Sequence, residues 1–380
     1  MMNNNAKNKH IYLASPNMSD EGWEKKYIDE AFDLNWITTL GKNVTEFENS
    51  LKKYSGANHV VATGAGTQAL HLAVLLAGIK PGDLVFCQDC TFAASVNPAA
   101  YEKARMVFID SEYDTWNMDP KALRKAFEIY GTPKAVIVVH LYGIPAKMHE
   151  IKAICDEFGT ILIEDSAEAL GSEYHGVKCG LFGEYGAWSF NGNKIITTSG
   201  GGALVTRKGD DAKHALKLAT QAREAFPWYQ HEEIGYNYRM SNICAGIGRG
   251  QMHVLDQRIE QKNIIFREYT ERLSGLPITM MPVPEGTKTN HWLSVMLIDR
   301  GESVTPNQII DALLVADIDA RNFWKPMHMQ PVYKECGYVQ VNDWSVGEDL
   351  FARGVCLPSD TNMDQEDIER VCSVIRSLWE

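Results

Sequence analysis

The chain has 380 residues, of which 45% are hydrophobic and 23% charged, and its formal net charge is −12. That length allows a large core and two domains, with a composition ordinary for a globular protein. The acidic balance, with no block of lysine and arginine, argues against nucleic acid or an anionic membrane surface as a partner.

Residues 1–10 (MMNNNAKNKH) hold no apolar run of the kind a secretory leader needs, and they read as a disordered lead-in. From about residue 58 to 206, short β-branched runs alternate with longer helical patterns. Strands are predicted at His59–Ala62, Leu84–Phe86, Met106–Ile109, Ala135–Val139, Thr160–Ile163, Ala187–Phe190 and Ala203–Val205, with helices such as Ala69–Ile79 and Pro120–Tyr130 between them. Strands without polar alternation, joined by helices, predict an α/β fold with a mostly parallel sheet covered on both faces. The longest of these runs are strand-sized and far too short to cross a bilayer. Residues 250–274 read as one long amphipathic helix bridging two domains, 1–255 and 256–380. The second part is predicted as α+β, with strands in Trp292–Ile298 and helices at Pro306–Ala316 and Gln365–Leu378.

Eight cysteines are scattered along the chain, which fits reduced, buried thiols in a cytoplasmic protein. Cys87 and Cys90 have the spacing of a redox or zinc pair, but no second pair completes a zinc set, so no metal is expected.

Three segments carry chemistry. In Gly64-Ala-Gly66-Thr67-Gln68-Ala69 a strand ends, glycines follow and a helix opens, which makes a backbone seat for phosphate. The same residues fit a dinucleotide fingerprint with Asp89 as ribose acid, an alternative that leaves residues 165–194 without a role. Asp165 closes the strand Thr160–Ile163 at its carboxyl side, where ligands of open α/β sheets bind. Lys194 follows Ser189-Phe-Asn191-Gly-Asn and precedes Gly200-Gly-Gly202, an odd place for a solvated lysine. Together the three make sense as a site for pyridoxal phosphate (PLP), which needs a phosphate seat, a carboxylate facing its pyridine nitrogen, and a lysine for a Schiff base.

The ordered set resembles the sugar aminotransferases of the DegT/StrS type, a branch of the aspartate-aminotransferase fold (fold type I). The likeness runs from about Ile11 to the C-terminus. It rests on Trp36–Gly41, Gly66–Leu72, Thr91–Ser95, His140–Gly143, Glu164–Gly171, Ser189–Lys194, Gly235–Ser241, Lys325–His328 and Leu357–Ser359. It implies that Gly66, Thr67, Gln68 and Ser189 hold the phosphate and that Phe92 stacks on the pyridine ring. It also implies that Asp165 pairs with the ring nitrogen, that Asn191 lies at the cofactor, and that Lys194 carries the cofactor. Asn237 matches an asparagine that reaches the phosphate of the neighbouring subunit, so a homodimer with shared active sites is expected.

Glu168 stands where the family usually has glutamine, beside the ring hydroxyl. The pattern Asp165-Ser-Ala-Glu168-Ala with Asn191–Gly202 is most similar to enzymes of the bacillosamine and legionaminic-acid type. Those aminate C-4 of a UDP-linked 4-keto-6-deoxy-N-acetylhexosamine, with L-glutamate as donor; a GDP-4-keto-6-deoxymannose substrate is the alternative. His291 replaces an arginine frequent in that subfamily. His328, Arg239 and Arg321 are candidates for the sugar or diphosphate, since guanidinium forks suit phosphate oxygens. A PLP-binding regulator that no longer transaminates would retain the same motifs.

Overall fold

A computed structural model describes residues 9–380. Strands β1 (His59–Thr63), β2 (Leu84–Gln88), β3 (Arg105–Ile109), β4 (Ala135–Val139), β5 (Ile161–Asp165), β6 (Tyr185–Ser189) and β7 (Gly202–Thr206) form most of one sheet. Later strands are β8 (Ile278–Met280), β9 (Ser294–Ile298), β10 (Arg321–Asn322), β11 (Gly337–Val339) and β12 (Gly354–Leu357). The large sheet runs β1-β7-β6-β5-β4-β2-β3-β11. All its strands point one way except β7, which pairs antiparallel with both β1 and β6. This is the mostly parallel α/β sheet that the sequence predicts.

The inner strands are fully buried because side chains on both faces are apolar. One face packs Val85, Ile137, Ile163 and Leu204 against the helix Gly66–Leu76. The other packs Phe86, Val136, Val138 and Leu162 against the helices Pro120–Tyr130 and Met148–Phe158. Register brings Val139 level with Asp165, and Ser189 level with Gly202, which in turn faces Thr63. The carboxyl ends of β1, β5 and β6 therefore meet at one edge of the sheet, the edge where open α/β sheets bind ligands.

The predicted helix 250–274 is two helices, Asn242–Met252 and Leu255–Arg272, separated where Val254 leaves the helical region (φ −112°, ψ 5°). The break lets each helix face a different neighbour. In the first, a side chain at Gly248 would stand 2.7 Å from the Phe47 ring and one at Gly250 2.5 Å from the Glu24 backbone. The second turns Leu255, Arg258, Lys262, Ile265 and Tyr269 inward.

The strands β8, β9, β12 and β10 form a second, four-stranded sheet. Its core also takes in Ile11, which bridges to Ile318. Residues 1–8 of the expected lead-in lie outside the described residues. Lys9 and His10, assigned to it as well, are instead tied down: Lys9 Nζ donates to Asp367 at 2.9 Å, and His10 Nδ1 lies 2.7 Å from Asp317. Past residue 255 the chain does not stay with the small sheet, because β11 joins the large one beside β3. Among the described residues no helix is long and apolar enough to cross a membrane.

Candidate active site

A cavity of about 400 Å³ opens at the sheet edge where β1, β5 and β6 end. Gly66, Thr67, Phe92, Asp165, Glu168, Ser189, Asn191 and Lys194 line it, together with Trp292 and Trp324 from the C-terminal part.

One end is a backbone seat. The helix Gly66–Leu76 starts after Ala65, whose side chain caps nothing, so the first-turn amides are left for a ligand. Gly66 is pressed against Ser189: a Cβ there would stand 2.9 Å from the serine Cβ. A Cβ on Gly202 would lie 2.5 Å from the backbone of Ala65 and Gly66. Only glycines let the loop, the helix start and β7 meet this closely, which leaves amides and the Ser189 hydroxyl as donors around an anion. Gln68 contributes its backbone to this turn but does not line the cavity; its side chain lies back over Gly64, with a buried Oε1 that has no partner.

The floor is charged. Asp165 ends β5 and is 4% exposed. Its Oδ2 accepts a hydrogen bond from Ser95 Oγ at 2.5 Å, and its Oδ1 accepts from the Ala167 N–H at 3.0 Å. Thr91 Oγ1 sits 2.6 Å from Ser95 Oγ and completes a short chain of hydroxyls behind the carboxylate. These bonds fix the plane of the carboxylate.

Lys194 is held by a turn in which its N–H donates to the Asn191 carbonyl at 2.9 Å. Its Nζ lies 3.7 Å from Glu168 Oε1 and 3.9 Å from the centre of the Trp292 ring. Burial pushes its pKa below the ordinary lysine value, with Glu168 and Asp165 opposing. Burial likewise raises the Glu168 carboxyl above its ordinary value, with Lys194 opposing. The Tyr142 N–H donates to Glu168 Oε2 at 2.6 Å and so orients that carboxylate. Lys194 thus has the environment of an amine that sheds its proton more readily than a surface lysine.

The rim is aromatic. Phe92 is 57% exposed and its ring centre lies 5.7 Å from that of Trp324. Trp324 stacks on Tyr142 at 6.0 Å, and the Trp324 N–H donates to the Tyr142 hydroxyl at 2.9 Å.

The other sequence candidates lie elsewhere. His328 has both ring nitrogens engaged, Nδ1 with Asp89 at 2.7 Å and Nε2 with Glu348 at 3.0 Å, and it stacks on Tyr338. Asp89, the would-be ribose acid, is consumed in that contact. Arg239 is ion-paired with Glu48, and its NH1 donates to the Ala62 carbonyl. Arg321 sits on β10 and donates to the Ala320 carbonyl. None of the three lines the cavity. Glu48 engages Arg239, and Asp89 with Glu348 engages His328, in contacts outside the cavity lining. His291 is buried against the Phe266 ring at 3.8 Å, and burial pushes its pKa down to about 3. Asn237 is exposed and does not line the cleft of its own chain.

The geometry adds four residues that motif reading left without a role: Ser95, Tyr142, Trp292 and Trp324. Ser95 and Tyr142 lie inside quoted motifs, so a polar residue near Asp165 and a tyrosine in His140-Leu-Tyr-Gly143 were available signals. The two tryptophans come from distant segments: Trp292 opens Trp292-Leu-Ser294, a stretch that also resembles the bacillosamine-type enzymes, and Trp324 directly precedes Lys325–His328.

The seat, the buried carboxylate and the depressed lysine fit PLP. Gly66, Thr67, Gln68 and Ser189 would surround its phosphate, Asp165 would face its pyridine nitrogen, and Lys194 would hold its aldehyde carbon. They leave the dinucleotide reading without its ribose acid.

Comparison with known proteins agrees. The model of the DegT/DnrJ/EryC1/StrS aminotransferase family matches residues 19–376. EpsN of Bacillus subtilis (strain 168), named as a pyridoxal phosphate-dependent aminotransferase, is 49% identical over 98% of this chain and 96% of its own length. The GDP-perosamine synthase of Escherichia coli O157:H7 is 34% identical over 98% of this chain and 99% of its own. The crystal structure of a DegT DnrJ EryC1 StrS aminotransferase from Brucella abortus superposes with a TM-score of 0.86 at 28% identity, over 94% of this chain and 95% of that one.

Proposed function

The chain belongs to the DegT/DnrJ/EryC1/StrS aminotransferase family of PLP-dependent sugar aminotransferases. From that premise we propose that it moves the amino group of L-glutamate to C-4 of a UDP-linked 4-keto-6-deoxy-N-acetylhexosamine, for a bacterial surface glycan or glycoprotein. The observation that carries the chemistry is the convergence of the Gly66 seat, Asp165 and Lys194 in one cavity. The sugar assignment rests on Glu168 and on the Asn191–Gly202 pattern.

When bound, PLP supplies an electron-accepting ring that stabilises negative charge at the carbon losing its proton. Asp165, oriented by Ser95 and Ala167, would face the ring nitrogen and hold its proton. Lys194, once its amine is free, takes a proton from the donor carbon and returns it on the other side of the exchange. Burial serves this role by depressing its pKa toward the working range. Glu168 holds Lys194 on one side while Trp292 covers the other, so the amine swings in a narrow arc. Phe92 and Trp324 make an apolar rim against which the face of a hexose can pack.

A GDP-4-keto-6-deoxymannose substrate is the second reading, favoured by the near full-length likeness to a GDP-perosamine synthase. Incubating the purified enzyme with L-glutamate and each keto sugar nucleotide separates the two. We expect 2-oxoglutarate and a 4-amino sugar from the UDP substrate. Turnover of the GDP sugar alone replaces the first reading with the second, and turnover of neither removes both.

The enzyme acts as a homodimer with composite sites, in the cytoplasm where its thiols stay reduced. What supports the dimer is that Asn237 is exposed on a segment that also exposes Phe226, Trp228, Tyr229 and Ile234. Lys194→Ala and Asn237→Ala then lie in different halves of one site. Mixing the two inactive proteins should restore part of the activity, and dimers that exchange subunits without regaining any would contradict the arrangement.

A further inference from the structure

The helix Leu255–Arg272 buries a stripe at 255, 258, 262, 265 and 269, and Lys262 stands in the middle of it, 3% exposed. Among the described residues no carboxylate pairs with it directly. Its Nζ donates to two backbone carbonyls, that of Trp292 at 2.9 Å and that of Ser359 at 2.6 Å. Burying an amine this fully is costly unless every hydrogen is used in a fixed place.

Trp292, just before β9, is the residue held. Its backbone N–H donates to Asn290 Oδ1 at 2.9 Å, and its ring N–H donates to the carbonyl of Asn193 at 2.6 Å. The ring then lies 3.9 Å from Lys194 Nζ. Asn290 also donates to the carbonyl of Glu168 at 3.0 Å, so both walls that flank the Lys194 amine share one support.

We propose that Lys262 is a positioning residue for the transamination reaction: by gripping the Trp292 carbonyl it sets the indole against Lys194 and fixes the amine for attack and proton transfer. Burial pushes the Lys262 pKa down to about 8. A neutral amine still has two hydrogens to donate, so the grip survives either protonation state. The inference rests on the reading that Lys194 carries PLP.

The test uses apoenzyme of the full chain, with Lys262→Met removing the grip and Trp292→Phe removing the indole N–H while keeping a ring. PLP, which bonds to Lys194, is compared with pyridoxamine phosphate, which cannot. We expect both variants to bind pyridoxamine phosphate as the wild type does, and to form the visible absorption band with PLP about ten- to a hundredfold more slowly, the scale of a small misplacement. Loading at the wild-type rate overturns the proposal. So does a parallel loss of both affinities, which marks a site that has merely loosened. Should Lys262→Met fail to fold, Trp292→Phe still tests the link on which the proposal stands, the indole's hold on the Lys194 amine, and loading at the wild-type rate there overturns it. A wild-type protein that never forms the band speaks against the PLP reading itself, a result distinct from either.

Discussion

The floor of the cleft and its rim are held in different ways. On the floor, Asp165 and Ser189 stand buried at strand ends, Lys194 follows half-buried in a turn, and Asp165 and Lys194 are each held by hydrogen bonds to neighbours. On the rim, Phe92 is largely exposed, and Trp324 arrives from the far side of the chain, fixed by its contact to Tyr142; Trp292, from the same side, is buried against Lys194 and links rim and floor. The floor supplies a rigid arrangement for chemistry common to many sugars. The rim supplies shape, and shape is what distinguishes one hexose from another. Changes on the floor should therefore remove catalysis, whereas changes on the rim should alter positioning, stability and substrate choice.

The largest effect should come from Lys194→Ala. With neither a bond to the cofactor nor a proton carrier, kcat for glutamate should fall by at least about a thousandfold. Stability should hold or improve, because a costly buried amine is gone, and thermal unfolding checks that half. Activity within tenfold of wild type would move the chemistry off the floor.

Gly66→Ala tests the seat. The added Cβ meets Ser189 Cβ at 2.9 Å, and overpacking of this kind costs about 1–3 kcal/mol. PLP titration should show affinity weakened about ten- to a hundredfold, with glutamate recognition unaffected once PLP is saturating.

His291, beside Trp292, should affect stability alone. Its folded pKa is depressed from the ordinary 6.5 to about 3 by burial. The unfolded ring takes up a proton in that window and the folded ring does not, so stability is full above pH 6.5 and is lost as pH falls toward 3. By pH 5 the loss from this one ring is about 2 kcal/mol. Urea unfolding at pH 7 and pH 5 should show it, and His291→Asn, suited to the residue's φ of 41°, should flatten the difference.

Glu168→Gln places the family's usual residue beside Lys194. The Glu168 carboxylate favours the protonated amine, so removing its charge should lower the pH at which Lys194 in the apoenzyme reacts with an amine-selective reagent. An unchanged midpoint would show that Glu168 is protonated there and acts only by shape.

Much of the floor is legible in the sequence because it is local. The strand Ala135–Val139 and the helix Pro120–Tyr130 match their predicted ends residue for residue. Strands β2 and β5 run two residues beyond the predicted ends, through Cys87-Gln88 and Glu164-Asp165. Polar residues normally close a strand, yet Gln88, Glu164 and Asp165 are buried and hydrogen-bonded, and Asp165 lines the site. The break at His253–Val254 was illegible because an amphipathic pattern continues through it, and only the packing of each helix separates them. Lys262 could have been noticed as a cation inside an apolar stripe, but its partners are backbone carbonyls that no pattern encodes. His328, Arg239 and Arg321 show the reverse case, in which residue type alone pointed to the site. Their residue types suit phosphate, and distant partners such as Asp89 and Glu48 hold the first two in structural contacts.

The most direct measurement of the central claim is to reduce the PLP-loaded protein with borohydride, digest it, and locate the pyridoxyl group by mass spectrometry. The sequence holds a second buried lysine with a depressed pKa, Lys262, so the outcome is not trivial. The account predicts the group on Lys194 alone, at close to one per chain. A pyridoxyl group on Lys262, or none anywhere after full loading, would contradict it.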